Sequence, residues 1–371
     1  MFFHAWHNQP GMYSSLADQD QHPIWYARTG LNLFFVLSGF LLFLPYAKWM
    51  QSGRRPSARL FYRRRALRIG PAYWACLAIL VLTAPLTITS VADGLIHSVF
   101  IFNLVPASVF SINGVFWTMA VEVQFYALLP LLGLAAYWLS RRWGMVGTAA
   151  IVVAVTMLVS AASGLLERRF DPNHDQLIVT GLVGQRSMSF YLCVFGAGMA
   201  TSVLYTWLGG QKHGSLALSP RWSRLAAVAA IAAMTVALVL ALRPSLFHLT
   251  AGRNAIYGYL YAVLVFGVLL GSPALRKVFE LPAIRFVGLV SYSLYLWHTI
   301  VLPVFVPSLG QFSPALRVVI AFGLLCVSAI PVAYVSYMLA ERPFLHLRSK
   351  ARDEQPAEAR LAVQASVEAA P

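Results

Sequence analysis

Glu122 lies well inside residues 114–142 (GVFWTMAVEVQFYALLPLLGLAAYWLSRR), a run that is otherwise largely apolar and ends in two arginines. An ionised group in a bilayer is costly unless something pairs it, and by default it marks a site. On a helix Thr118, Glu122 and Tyr126 share one face at spacings of four, with Trp117 and Gln124 nearby. That face must turn towards protein. Either the carboxyl is a packing group hydrogen-bonded between helices, or it serves chemistry.

Four other stretches carry polar groups that a membrane tolerates badly. In VGLVSYSLYLWHTIV (287–301), Ser291, Tyr295 and His298 form a helical stripe with Tyr292 beside it. This is an interfacial aromatic belt with a satisfied histidine, or part of a site. In FFVLSGFLLF (34–43), Ser38 and Gly39 interrupt an apolar run, as small residues at a helix–helix contact do. In FYRRRALRIGPAYW (61–74), Arg65 and Arg68 sit one turn apart. They are topology signals or a phosphate clamp, because guanidinium forks grip phosphate bidentately. His4 and His7, in HAWH, have a spacing that suits a metal, but no further ligand stands out, and no metal is expected.

The elements that must position these groups are membrane helices. Of the 371 residues, 59% are hydrophobic and 11% charged, against about 25% charged in soluble domains. An all-α, polytopic bundle is expected. A span needs about 20 apolar residues. Candidates fall near 29–50, 71–90, 115–138, 144–166, 188–208, 224–242, 254–271, 283–305 and 315–339, nine in all. Residues 92–110 are shorter and contain Pro106, which predicts a re-entrant or interfacial helix. Glu122 is the only acid placed clearly within a span.

The net charge is +15. Its arginines cluster between spans, as the positive-inside rule requires, so nucleic-acid binding is not expected. The loop from Lys48 to Arg68 is the densest and is assigned to the cytoplasm. Counting forward puts the C-terminus there too, and residues 1–28 outside. Residues 1–350 read as one membrane domain. Residues 351–371, rich in Ala, Glu and Pro, read as a disordered cytoplasmic tail. Cys76, Cys193 and Cys326 fall in apolar runs and read as small buried hydrophobes.

Taken in order, GLNLFFVLSGFLL, RRRALRIGPAYW, FWTMAVEVQFYALLPL and VSYSLYLWHTIVL resemble the integral-membrane acyltransferases of the acyltransferase-3 type. These include bacterial O-acetylases of lipopolysaccharide and peptidoglycan and acylases of macrolide sugars. ERPF at 341–344 resembles that family's acidic-x-Pro ending. The likeness covers the chain from residue 4 to about 346. It implies transfer of an acyl group, acetyl above all, from cytosolic acyl-CoA to a hydroxyl of a carbohydrate or glycoconjugate. The enzyme would sit in the cell membrane and hold no permanent cofactor.

Carried over residue by residue, His4 matches the family's first-span histidine and is the expected general base. Glu122 matches the first acid of a glutamate pair and would orient it, as a carboxylate orients histidine elsewhere. Arg65 and Arg68 match its R-x-x-R pair and would hold the phosphates of the CoA. Ser38, Tyr292 and His298 match further positions that line the site. Asn32 stands where aspartate is usual, and Val123 replaces the second glutamate. The family's first span is expected ahead of His4, and would make a tenth. Two other classes remain open: a secondary transporter, for which buried charge is equally apt, and an inactive truncated homologue.

Overall fold

The computed structural model describes residues 29–83, 90–105, 107–170, 184–210, 220–242, 250–271, 273–304, 309 and 312–345. His4, His7 and the tail 351–371 lie outside them. Apart from short 3₁₀ turns, the described elements are helices: α1 (Gly30–Ser52), α2 (Ala58–Thr83), α3 (Val91–Ser98), α4 (Trp117–Phe170), α5 (Met188–Gly210), α6 (Pro220–Leu242), α7 (Thr250–Leu270), α8 (Pro273–Phe279), α9 (Pro282–Val301) and α10 (Pro314–Ser336). A π-turn, Tyr337–Glu341, prolongs α10.

Eight of the described helices are long and apolar enough to cross a membrane. One of them is two crossings. At 1.5 Å per residue, the 54 residues of α4 would run about 81 Å, against a hydrocarbon core of about 30 Å. Gly144, with φ 67° and ψ 176°, breaks it. A left-handed φ suits glycine because it has no Cβ. The arms fold back on one another. Phe125 of the first stacks on Phe195 of α5 at 4.0 Å, and Ser160 of the second accepts from the Cys193 backbone N–H at 2.9 Å. The described residues therefore make nine crossings, as the hydropathy pattern predicts.

The arginine-rich segment is the first departure from expectation. The loop is only residues 53–57, with Arg54 and Arg55: α2 begins at Ala58 and carries Arg59 to Arg68 on its first turns. Arginine is a good helix former, so the helix extends beyond its apolar stretch and takes the charges with it. The segment near 92–110, too short to cross, forms α3, a 3₁₀ turn at Phe102–Leu104 and further turns leading into α4. Tyr73 and Trp74 of α2 tie it down by donating to the carbonyls of His97 and Ser98, at 3.1 and 3.0 Å.

The centre of the bundle is α1 against α5. Both run the same way, since Phe35 packs on Phe195 at 4.6 Å and Gln51 donates to the Thr206 carbonyl at 2.9 Å. Two glycines make the approach possible. A Cβ at Gly39 would run into the Phe195 carbonyl, and one at Gly198 into that of Val36. Small residues drive such contacts in membranes, where apolar surface alone gives no preference for protein over lipid. A second, smaller core joins α9 to α10 through Val290, Leu294, Ala321, Leu325, Ala329 and Ala333.

Candidate functional site

The close α1–α5 contact leaves Ser38, next to Gly39, turned towards α4. Its hydroxyl donates to Glu122 Oε1 at 2.8 Å. Tyr126, one turn further along α4, donates to the same oxygen. Glu122 is 3% exposed, and among the described residues none donates to its Oε2. Thr118 does not join the pair. Its hydroxyl bonds with that of Tyr295 on α9, and Tyr295 also donates to the Val115 carbonyl at 2.8 Å.

Arg65 and Arg68 approach from the other side. Arg65 sits over the Tyr126 ring at 6.0 Å, and its Nε is buried with no acceptor among the described residues. Arg68 lies over the Tyr292 ring at 5.9 Å, and Tyr292 donates to the Ile69 carbonyl at 2.7 Å. Arg68 also has an ionic partner that the sequence did not assign. Its Nη1 is 2.9 Å from Glu341 Oε2, and the Glu341 side chain is wholly inaccessible. Ser293 donates to Glu341 Oε1 at 2.6 Å.

Glu122 is therefore not the only acid buried within a helix. Hydropathy ends the last span near 339, but the helix continues to residue 345. The π-turn at 337–341 falls where Glu341 meets Arg68, and such turns recur at functional sites. The visible signal for Glu341 was the ERPF ending. Its pairing with a residue 273 positions earlier was not visible.

His298 is 3% exposed. Its Nδ1 lies 2.8 Å from the Tyr295 carbonyl and 3.2 Å from that of Leu294. Carbonyls accept only, so the neutral ring carries its proton on Nδ1 and its lone pair on Nε2. Asn113 braces this end of α9. It donates to the Leu296 carbonyl at 3.3 Å and accepts from Thr299 at 3.0 Å. Sequence reasoning missed Asn113, because its partners on α9 lie more than 180 residues away.

One cavity of about 1750 Å³ joins these groups: Ser38, Arg65, Arg68, Glu122, Tyr292 and His298 all line it. Six of the seven site residues named from the sequence thus meet around one space, and His4 lies outside the described residues. The cavity runs from the arginine-rich start of α2 to the opposite end of the bundle, where Thr29 and Asn32 open α1 and Asn254 opens α7. Asn32, where the family pattern has aspartate, donates to Asn254 Oδ1 at 3.3 Å. Val123, the other departure, packs against the apolar core.

Outside the cavity, α3 holds a buried pair. His97 Nδ1 is 3.3 Å from Asp93 Oδ1 and 2.9 Å from its carbonyl, and the ring stacks on Phe102 at 3.9 Å. Burial pushes the imidazole below its ordinary range, with Asp93 opposing the shift.

An acyltransferase domain model of the acyltransferase-3 type matches residues 1–338, and the chain belongs to that family. It is a multi-pass membrane acyltransferase. Among curated proteins it is similar to "Nodulation protein 10" of Rhizobium leguminosarum bv. viciae, at 31% identity over 182 residues. That match covers 43% of this chain and 46% of the relative, just under half of its length. It is also similar to "Exopolysaccharide production protein ExoZ" of Rhizobium meliloti (strain 1021), at 25% identity over 367 residues. Here 95% of this chain and 96% of the relative are covered. No solved structure matches the chain.

Proposed function

We propose that this acyltransferase moves an acyl group, acetyl above all, from acyl-CoA to a hydroxyl of a carbohydrate or glycoconjugate in the cell membrane. The observation that carries the reading is the single cavity that links the arginine-rich end of the bundle to the Glu122 cluster and continues to the opposite end. A thioester is already activated. What remains is to place it against a hydroxyl, remove that hydroxyl's proton and stabilise the oxyanion that forms.

Arg65 and Arg68 would hold the donor phosphates at the end assigned to the cytoplasm. The buried Nε of Arg65, with no acceptor among the described residues, supports an anion there. Arg68 would contribute through whatever donors its contact with Glu341 leaves. His4 would take the hydroxyl proton. Glu122, fixed by Ser38 and Tyr126 through Oε1, would turn Oε2 to the imidazole and stabilise its cation. The hydroxyl oxygen attacks the thioester carbonyl, the C–S bond breaks, and the proton passes to the departing thiolate. Tyr292 and His298 would donate or accept along this path. ExoZ is named for exopolysaccharide production, which supports a carbohydrate acceptor.

The test uses membranes containing the full chain, acetyl-labelled acetyl-CoA and the glycans extracted from the same cells. The expected result is label in an alkali-labile ester on carbohydrate, lost in the Glu122→Ala variant. A secondary transporter would move label or glycan across vesicles and label no acceptor, and that result would overturn the proposal.

A further inference from the structure

The reaction proposed above needs a donor for the oxyanion. Apart from the arginines assigned to phosphate, the groups given a part in it have already spent theirs. Ser38 and Tyr126 give their hydroxyl protons to the Glu122 carboxylate, a stronger acceptor than a neutral carbonyl. Tyr292 donates to the Ile69 carbonyl, and Nδ1 of His298 is turned to carbonyls of its own helix. One pair of hydroxyls on the cavity wall differs. Thr118 on α4 and Tyr295 on α9 both line the cavity and bond to each other. Both also donate to the Val115 carbonyl, Tyr295 at 2.8 Å and Thr118 at 3.0 Å. The Thr118 backbone N–H reaches the same oxygen at 3.4 Å.

Three donors thus converge on an oxygen that has two lone pairs. Either hydroxyl can turn its proton into the cavity while the carbonyl keeps two donors, so one hydrogen bond is available there without stranding a buried acceptor. The pair is also well placed. Thr118 is one helical turn from Glu122 on α4, where side chains four apart lie about 5–6 Å from one another. Tyr295 stands between Tyr292 and His298 on α9, three residues from each. Thr118 is 3% exposed, and a donor in such a water-poor place acts strongly on developing charge. Of the two hydroxyls, the phenol is the more acidic and the better donor to an oxyanion.

Resting on the transfer reading, we propose that Tyr295 is a further catalytic residue, the donor that stabilises the oxyanion of the thioester, and that Thr118 positions it. As the acceptor oxygen bonds to the thioester carbon, the C=O π pair moves onto oxygen, and the Tyr295 hydroxyl turns from Val115 to that oxygen. Thr118 holds the Val115 carbonyl meanwhile. The C=O then re-forms, the C–S bond breaks, and the acceptor's proton passes to the departing thiolate. Tyr295 keeps its own proton throughout and returns to Val115.

The test measures initial rates in membranes containing the full chain, with acetyl-labelled acetyl-CoA at varied concentration and a saturating amount of the glycans extracted from the same cells. Tyr295→Phe keeps the ring and removes the donor. It is expected to lower kcat about 10²–10³-fold, the size found for a single oxyanion donor, with the KM for acetyl-CoA unchanged, the pattern of an interaction made only in the transition state. The folded fraction after heating should stay near that of the wild type, because Val115 keeps both donors of Thr118. Thr118→Val leaves Tyr295 as the hydroxyl that holds the carbonyl, so kcat should fall by less, again at unchanged KM. The double variant should fall little below Tyr295→Phe alone, since the two hydroxyls act as one unit. Full kcat in Tyr295→Phe, a loss confined to KM, or a rate that returns to wild type once corrected for folded protein would overturn the proposal. Wild-type membranes that label no glycan would instead overturn the transfer reading, and this proposal with it, so the two failures are told apart.

Discussion

Replacing Arg68 by Ala should damage the fold itself, whereas replacing Arg65 should not. The Arg68–Glu341 contact is 2.9 Å, with Glu341 inaccessible and the arginine side chain 27% exposed. At that distance the Coulomb attraction is about 6 kcal/mol at an effective dielectric constant of about 20, and desolvation of the carboxylate offsets part of it. Removing the cation leaves Glu341 with the Ser293 hydroxyl as its stated support. Breaking a buried pair in this way costs about 3–5 kcal/mol. The partial exposure of Arg68 and the Ser293 bond argue for the lower figure. Arg65 contributes a ring contact with Tyr126 at 6.0 Å, worth about 1 kcal/mol. The assay is the folded fraction in detergent after graded heating, read by size-exclusion chromatography. Arg68→Ala should lose far more than Arg65→Ala. Arg68→Ala with Glu341→Gln should recover much of the loss, because the stranded charge is gone. Equal stability of the two Ala variants, or additive losses in the double variant, would refute the ion pair as a structural element. Donor binding is then tested cleanly only at Arg65.

Three further outcomes are expected. His4→Ala should lose about 10²–10⁴ of activity if it is the positioned base; Glu122→Gln should lose less, and the double variant should fall little below His4→Ala, since groups acting as one unit do not add. Gly39→Ala should cost at least the 1–3 kcal/mol usual for overpacking, because the new Cβ meets the Phe195 backbone carbonyl and not a flexible side chain; unaltered thermal stability would show that α1 and α5 can separate. Burial lowers the His97 pKa on folding, so the unfolded chain binds the extra proton first and stability should fall as pH drops below about 6.5; heating curves between pH 5 and 8 should show a shallower acid loss in His97→Gln than in the wild type.

The sequence by itself determined the class. Hydrophobic runs of span length leave a helical bundle as the solution, because lipid offers no partner to a free backbone N–H or C=O. Residue types and order sufficed to mark Ser38, Arg65, Arg68, Glu122, Tyr292 and His298, because polar groups stand out against an apolar ground. The two arms of α4 were legible too, as separate apolar runs at 115–138 and 144–166 divided by Arg141 and Arg142.

Partnership was not legible. Ser38 reads as a small packing residue, yet Gly39 makes the packing contact and Ser38 holds Glu122. Glu341 looked like the end of a span until α10 continued through a π-turn and delivered it to Arg68. Asn113 carried no local signal of its bonds to α9. Burial and periodicity depend on neighbours within a turn or two, which the sequence displays. Which charge meets which, and around what space, depends on helices brought together from residues tens to hundreds of positions apart, and only tertiary packing decides that.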